Sequence, residues 1–156
     1  MDRKGLGMSE VSAEEILGPQ EQPPAPRAIT GLPLGRLIEY VLEKLFALSP
    51  EIDAGIVATH EGLLLGAKAR EQEKAEDVGA ITSLMLEGST RILRELHHGK
   101  VAQLLIVGTQ GYTLLKSVGD VAFLAVTSRG NSIQRATYHA FLKAARAVEI
   151  LGEWLN

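Results

Sequence analysis

The stretch that decides the fold is Gly111-Tyr-Thr-Leu-Leu-Lys-Ser-Val-Gly-Asp-Val-Ala-Phe-Leu124. Two runs rich in apolar and β-branched residues, Tyr112 to Val118 and Val121 to Thr127, flank the pair Gly119-Asp120. A glycine followed by an aspartate between two such runs is typical of a two-residue hairpin turn. The stretch therefore predicts two adjacent antiparallel strands.

The segments before this hairpin extend it into a larger sheet. Val101 to Val107 is a third extended run. Ile52 to Thr59, the turn residues His60-Glu61-Gly62, and Leu63 to Ala67 have the pattern of a further hairpin. Because short connections join neighbouring strands in antiparallel fashion, the chain predicts antiparallel hairpins rather than parallel crossovers.

Three segments carry apolar residues at the spacing of a helix. The first lies between Pro33 and Ser49-Pro50. The second begins at Glu76-Asp77, is predicted to continue through His98, and has Gly99 as its stop. The third begins between Ser132 and Arg135 and continues to the C-terminus. The predicted order is α-β-β-α-β-β-β-α, which makes an α+β protein.

Helices are expected on both faces of this sheet. In the run 101–107 both alternating sets of side chains are apolar, Leu104 and Ile106 in one and Leu105 and Val107 in the other. Two apolar sets in one strand indicate that both faces are covered.

The first 32 residues differ in composition from the rest of the 156-residue chain. Five of the six prolines fall within the first 33 residues, where large apolar residues are sparse. We therefore predict a flexible, proline-rich arm over 1–32 and one domain over 33–156. Within the arm, Ser12-Ala-Glu-Glu15 before Ile16-Leu17 has the form of a capping box. It is either a short helix that forms on a partner or part of a solvated tail.

Composition disfavours several classes of protein. The chain has no cysteine, which excludes disulfides and thiolate metal sites. The formal net charge is −3 with dispersed charges, so no basic surface for nucleic acid is expected. Apolar runs such as Val121 to Val126 are far shorter than the roughly 20 residues that a membrane-spanning helix needs. Neither a nucleic-acid partner nor membrane insertion is predicted, and the default location is cytoplasmic.

No motif for catalysis or cofactor binding is present. The chain lacks a G-x-x-x-x-G-K-[ST] phosphate loop, so no nucleotide or other cofactor is expected. His97 and His98 are helix neighbours that point about 100° apart, which makes them a poor metal-ligand pair. A small enzyme whose polar pocket combines His60, Glu61 and Asp120 remains a third possibility, behind two non-catalytic functions.

The sequence does predict an association surface. If the run 100–107 lies at the rim of the sheet, its apolar strand presents unpaired backbone groups that must be covered or paired. The middle helix also carries more apolar and small residues than one sheet face needs: Ala80, Ile81, Leu84, Met85, Gly88, Ser89, Ile92 and Leu96. Gly88 costs a helix about 0.5 to 1 kcal/mol relative to alanine, so it reflects either a close helix–helix contact or neutral drift.

The order of elements resembles the Roadblock/dynein light chain family over about residues 34–155. The resemblance is carried by Ile56-Val-Ala-Thr-His-Glu-Gly-Leu-Leu-Leu65 and by the stretch 111–124 quoted above. It implies a five-stranded antiparallel sheet with the middle helix on one face and both terminal helices on the other, in profilin/longin-like layers. It also implies a homodimer in which the middle helices and the third strands meet.

The resemblance further implies a function without catalysis. Bacterial members act as GTPase-activating or co-regulatory partners of Ras-like GTPases in motility and polarity, while eukaryotic members are dynein subunits and scaffolds. No arginine finger is carried over. The expected function is a homodimeric cytoplasmic regulator of a small Ras-like GTPase, and the alternative is a passive adaptor with no effect on nucleotide turnover. The residues expected at the dimer interface are Ile81, Met85, Gly88, Ser89, Ile92 and Leu104.

Overall fold

Three helices and five strands make up the computed structural model, which describes residues 33–71 and 74–155. Their order is the predicted α-β-β-α-β-β-β-α. The arm predicted over 1–32, with its capping box, lies outside the described residues. The elements are α1 (Leu34–Leu48), β1 (Ile52–Thr59), β2 (Leu64–Ala69), α2 (Lys74–Glu95), β3 (Gln103–Val107), β4 (Gly111–Val118), β5 (Ala122–Arg129) and α3 (Arg135–Leu155).

The strands form one sheet in the order β2-β1-β5-β4-β3. Every neighbouring pair is antiparallel, which confirms the predicted five-stranded antiparallel sheet. The two hairpins are joined through β1 and β5, where Ile56 pairs with Ala125. The strands β2 and β3 therefore lie at the two edges.

The helices lie on both faces in the predicted layers. The helices α1 and α3 cover one face, where Leu42 and Phe141 pack with Leu114 of β4. The helix α2 covers the other face, where Leu86 packs with Ile56 and Phe123. The α+β class and its layered arrangement are confirmed.

The strands that helices cover on both faces are the central ones. In β1, Ile56 faces α2 and Val57 faces α1 and α3, and both are fully buried. The prediction took its example from the run 101–107, and that example was wrong. The strand β3 lies at the edge, so Leu105, Ile106 and Val107 are exposed there.

The helix α2 ends at Glu95 and not at the predicted His98. His97 takes a left-handed conformation with φ 57°. Its N–H donates to the carbonyl of Arg94 at 3.2 Å, and the N–H of His98 donates to the carbonyl of Leu93 at 2.8 Å. This is a Schellman motif with histidine at the position that glycine usually holds. Gly99, predicted as the stop, lies two residues beyond the turn.

The turn between β4 and β5 holds three residues where two were predicted. Val118 pairs with Ala122, and Gly119 has a left-handed φ of 65°. The third residue, Val121, uses its carbonyl to accept the N–H of His60 at 3.1 Å. That bond ties this turn to the turn between β1 and β2 and continues the register of β1 with β5.

The helix α1 approaches β2 so closely that only glycine fits at position 66. A Cβ on Gly66 would lie 2.5 Å from Cγ2 and 2.8 Å from Cβ of Ile38. Ile38 is itself fully buried in the core beneath α1 and α3, so neither side can move aside freely. Gly66 therefore sets the spacing between helix and strand.

We expect Gly66→Ala to lower the free energy of unfolding by about 1 to 3 kcal/mol, the range for overpacking a filled core. Chemical denaturation measures the change. Gly152→Ala in α3 is the matched control, because a Cβ there meets nothing within 4 Å. That control should be neutral or stabilising, and equal effects at both positions would contradict the close approach.

Candidate interaction surface

One side of α2 is seated firmly on β1 and β2. A Cβ on Gly79 would lie 3.3 Å from Cδ2 of Leu64, so the helix approaches the strand closely at its first turns. The hydroxyl of Ser83 donates to the carbonyl of His60 at 3.0 Å. The side chains of this inward stripe recur at three- and four-residue spacing: Ala75, Val78, Thr82, Leu86 and Leu93.

The opposite side of α2 carries a second apolar stripe, which we call the outer stripe. Its large members are exposed, Ile81 by 57%, Leu84 by 68% and Ile92 by 59%, and Leu96 continues the stripe past the helix end. Gly88 lies among them, and a Cβ there would meet nothing within 4 Å. Nothing within the protomer therefore requires a glycine at 88.

The strand β3 forms an apolar rim beside α2. Leu104 and Ile106 face the same side as α2, because they pair with Leu115 and Thr113 of β4. Val107 lies on the other face and is about half exposed, as Ile106 is. Within the described residues β3 pairs with β4 alone, so the outward backbone groups of this rim are open for another strand.

Hydrogen bonds at the N-terminal end of β3 hold the rim in place. The hydroxyl of Ser117 donates to the carbonyl of Val101 at 2.7 Å, and its N–H donates to that of Ala102 at 3.1 Å. These bonds fix the entry to β3, whose ladder begins at Gln103 and not at the predicted Val101. The hydroxyl of Tyr138 in α3 then donates to Oε1 of Gln103 at 3.0 Å. The rim is thus anchored to β4 and α3 before any partner arrives.

A cleft of about 620 Å³ separates the end of α2 from β4 and the entry to β3. His60, Asp120 and His97 all line it, with Arg94 and Lys100. Glu61 lines a different groove, beside Ser83 and Leu84. The structure thus brings together two of the three residues of the possible polar pocket and places the third elsewhere.

Charge is distributed unevenly along α2. Glu76 and Asp77 lie in its first turn and Arg94 in its last. Acidic residues at the N-terminus and basic residues at the C-terminus stabilise the helix dipole. Glu95 follows Arg94 directly, so the last turn carries both signs of charge.

The residues that the structure describes offer neither a membrane span nor a metal cluster. No helix there is long and apolar enough to cross a bilayer. No group of three or more histidine, aspartate or glutamate side chains is placed to hold a metal ion in the same part of the chain.

The model of the Roadblock/LC7 domain matches residues 38–128, more than half of the chain. The chain belongs to the Roadblock/LC7 family. No curated protein matches this Roadblock chain. The match begins inside α1 and ends in β5, so it includes α2, the strands β1 to β4 and all of β5 except Arg129.

Solved structures of other Roadblock proteins share the fold. MglB of Myxococcus xanthus superposes with a TM-score of 0.70 at 13% identity, covering 78% of this chain and 91% of that one. The gliding protein MglB of Thermus thermophilus gives 0.68 at 12% identity, covering 85% and 95%. A structure described as MglB with tetrameric arrangement gives 0.67 at 16% identity, covering 81% and 96%.

The six predicted interface residues of this Roadblock domain lie on one side of the molecule. Ile81, Gly88 and Ile92 are exposed on the outer stripe of α2, with Met85 and Ser89 half-buried at its margin. Leu104 lies on β3, half-buried against the core beneath α2. The predicted set omitted Leu84 and Ile106, which are among the exposed apolar residues of this surface.

Proposed function

We propose that this Roadblock protein is a homodimeric, non-catalytic regulator of a small Ras-like GTPase in the cytoplasm. The observation that carries the proposal is an apolar surface, made of the outer stripe of α2 and the rim β3, that the described residues leave uncovered. Membership of the Roadblock/LC7 family and the likeness in fold to MglB support it.

The outer stripe fits an antiparallel pairing of two copies of α2. With a two-fold axis between Leu86 and Glu87, Ile81 of one copy lies opposite Ile92 of the other. The same register places Met85 opposite Gly88. A long side chain thus meets the one position in the stripe that has no side chain, which is how helices approach closely at a crossing. Such an interface is self-complementary, as a two-fold dimer requires.

Charge and strand pairing favour the same arrangement. An antiparallel pair brings Glu76 and Asp77, in the first turn of one α2, near Arg94 in the last turn of the other. The two β3 rims can then pair across the axis, which satisfies their open backbone groups and continues the sheet from one protomer into the next. The structure titled as tetrameric shows that an MglB forms assemblies.

Ile92→Glu should separate the dimer. A carboxylate in a dry interface costs several kcal/mol unless it is paired, and each dimer would bury two of them, each opposite Ile81 of the other copy. Light scattering at micromolar concentration should report a mass falling from twice the chain mass to the 16.8 kDa of one chain.

Val121→Glu is the matched control, since Val121 is equally an exposed apolar residue but lies in the turn between β4 and β5, away from this surface. It belongs to neither α2 nor β3 and should leave the dimer intact. A dimer that survives Ile92→Glu would place the interface elsewhere.

Gly88→Ala tests the register directly. In an isolated α2 the change should stabilise the helix by about 0.5 to 1 kcal/mol, because a Cβ meets nothing in the protomer. In the proposed dimer the added methyl group meets Met85 of the second copy and should weaken association by about 1 to 3 kcal/mol. Sedimentation equilibrium measures the association. Stronger or unchanged association would contradict the helix pairing.

Regulation is expected to act on the GTPase's own catalytic groups. The GTPase to test is a Ras-like one encoded beside this gene, and the measurements are single-turnover GTP hydrolysis and release of a fluorescent nucleotide. We expect a change in at least one rate, and Ile92→Glu should abolish it. Neither binding nor a rate change with any such GTPase would contradict the proposal.

The same assay tests the absence of an arginine finger. Arg91 and Arg94 are exposed arginines of α2. Removing an arginine finger would lower the rate of GTP hydrolysis by a factor of about 10³ to 10⁵. We expect Arg91→Ala and Arg94→Ala to retain the rate change to within a few fold. A loss on the larger scale would make one of them a catalytic residue.

The second candidate function is a passive adaptor. It is favoured by a groove at the other end of α2, which Glu61, Leu63 and Glu87 line and where Leu63 is among the most exposed apolar side chains. An adaptor needs such additional contacts. Binding of the GTPase without any change in either rate would favour this function.

A further inference from the structure

A groove between α1 and α3 lies on the face of the sheet opposite α2. Its volume is about 310 Å³, and its floor is formed by small and apolar side chains such as Ala144. Tyr40 and Leu48 of α1 line it and are 58% and 61% exposed. Neither β3 nor the outer stripe of α2 is near this groove, so the proposed dimer leaves it open.

The charge of the groove is of one sign. Among the described residues, the charged side chains that line it are Lys44 of α1 and Lys143 of α3, with no acidic one. The ammonium of Lys44 lies 5.1 Å from the centroid of the Tyr40 ring, so it is held at the edge of the groove. The matching occupant is a short apolar segment that carries carboxylates.

The chain itself contains a segment of this kind before α1. Val11-Ser-Ala-Glu-Glu-Ile-Leu17 combines the Ser12–Glu15 capping box with a hydrophobic pair, since Val11 precedes the cap and Ile16 is the fourth helical position. Such a pair is the hydrophobic staple that fixes the start of a helix. Glu14 and Glu15 add two carboxylates beside the apolar residues.

The connection to α1 is long enough for this segment to reach the groove. The 16 residues from Gly18 to Pro33 can span about 3.1 Å each when extended, or about 50 Å. The 15 residues of α1 rise about 1.5 Å each, or about 22 Å, so the segment can return along the whole helix. A tether of this length holds its end at roughly millimolar effective concentration, so weak docking is sufficient.

We propose that residues 11–17 dock as a short helix in the α1–α3 groove of their own chain. Ile16 and Leu17 pack beside Tyr40 and Leu48, and the carboxylates of Glu14 and Glu15 lie near Lys44 and Lys143. Docking covers the exposed apolar residues of this face and leaves the outer stripe of α2 free. The capping box is thus used within the chain, and the proposal is independent of the GTPase function.

A spin label on the segment tests the docking in the full chain. The chain has no cysteine, so Gly18→Cys gives a single attachment site for a nitroxide. The amide signals of Leu48 and Lys143 should lose most of their intensity, while that of Ile92 on the opposite side of the sheet should not. Equal intensities on the two sides would overturn the proposal.

Charge variants of the segment and of the groove test whether the signal loss comes from docking or only from chance proximity of the label. Ile16→Glu with Leu17→Glu places charges on the docking face and should restore the lost amide signals. The double variant Lys44→Glu with Lys143→Glu should also restore the amide signals. Adding Glu14→Lys to that variant should restore part of the docking, so that part of the signal loss returns. Lys100→Glu, on the α2 side, is the charge-matched control and should change nothing. Persistent signal loss in the first two variants would refute the docking.

A mixed sample identifies which chain supplies the segment. Spin-labelled chains without ¹⁵N are combined with ¹⁵N-labelled chains that lack the cysteine. Docking in the same chain is supported if the amide signals fall in a chain that carries both the spin label and ¹⁵N but stay unchanged in the mixed sample. Signal loss at Leu48 in the mixed sample would mean that the segment of a second copy fills the groove, which would overturn the assignment.

Discussion

The structure depends on a helix that is apolar on two sides while its own sheet covers only one. The inward stripe of α2 is held against β1 and β2 by the close approach at Gly79 and by Leu86 in the core. The outer stripe has no such cover, although Ile81 and Ile92 are as apolar as the residues inside. Apolar surface of this extent in one patch is typical of an association site. The edge strand β3 presents the same problem in its backbone, because its outward N–H and carbonyl groups are open.

The elements were predictable because their signals are local. Three- and four-residue spacing marks the helices, and short apolar runs around glycine-containing turns mark the hairpins. The strand order was not predictable from these signals. Nothing near Ile56 indicates that its partner is Ala125, since that contact joins segments almost seventy residues apart. The end of α2 was mispredicted for a related reason. Gly99 is the usual stop signal, but the hydrogen bonds to Leu93 and Arg94 place the turn at His97.

The candidate surface was predictable in part. Its two parts, the outer stripe of α2 and the strand β3, gave different signals in the sequence. The outer stripe follows from spacing alone, because a second set of apolar residues at 81, 85, 88 and 92 needs a second surface to cover it. The strand β3 gave a less specific signal. Both of its alternating sets are apolar, which fits a central strand as well as an edge strand. Only its position beside β4, with no strand on the other side among the described residues, separates these cases.

Several hydroxyl groups around α2 hold the backbone in place. The hydroxyls of Thr82, Thr90 and Ser117 each donate to a backbone carbonyl nearby, those of Val78, Leu86 and Val101. A nucleophilic hydroxyl needs instead a base that takes its proton. The ring of His60 stacks on Phe123 with centroids 6.5 Å apart, an arrangement that supports packing. These polar groups hold the helix, the turn and the rim, so the surface made of the outer stripe and β3 presents apolar side chains and, among the described residues, an open strand edge.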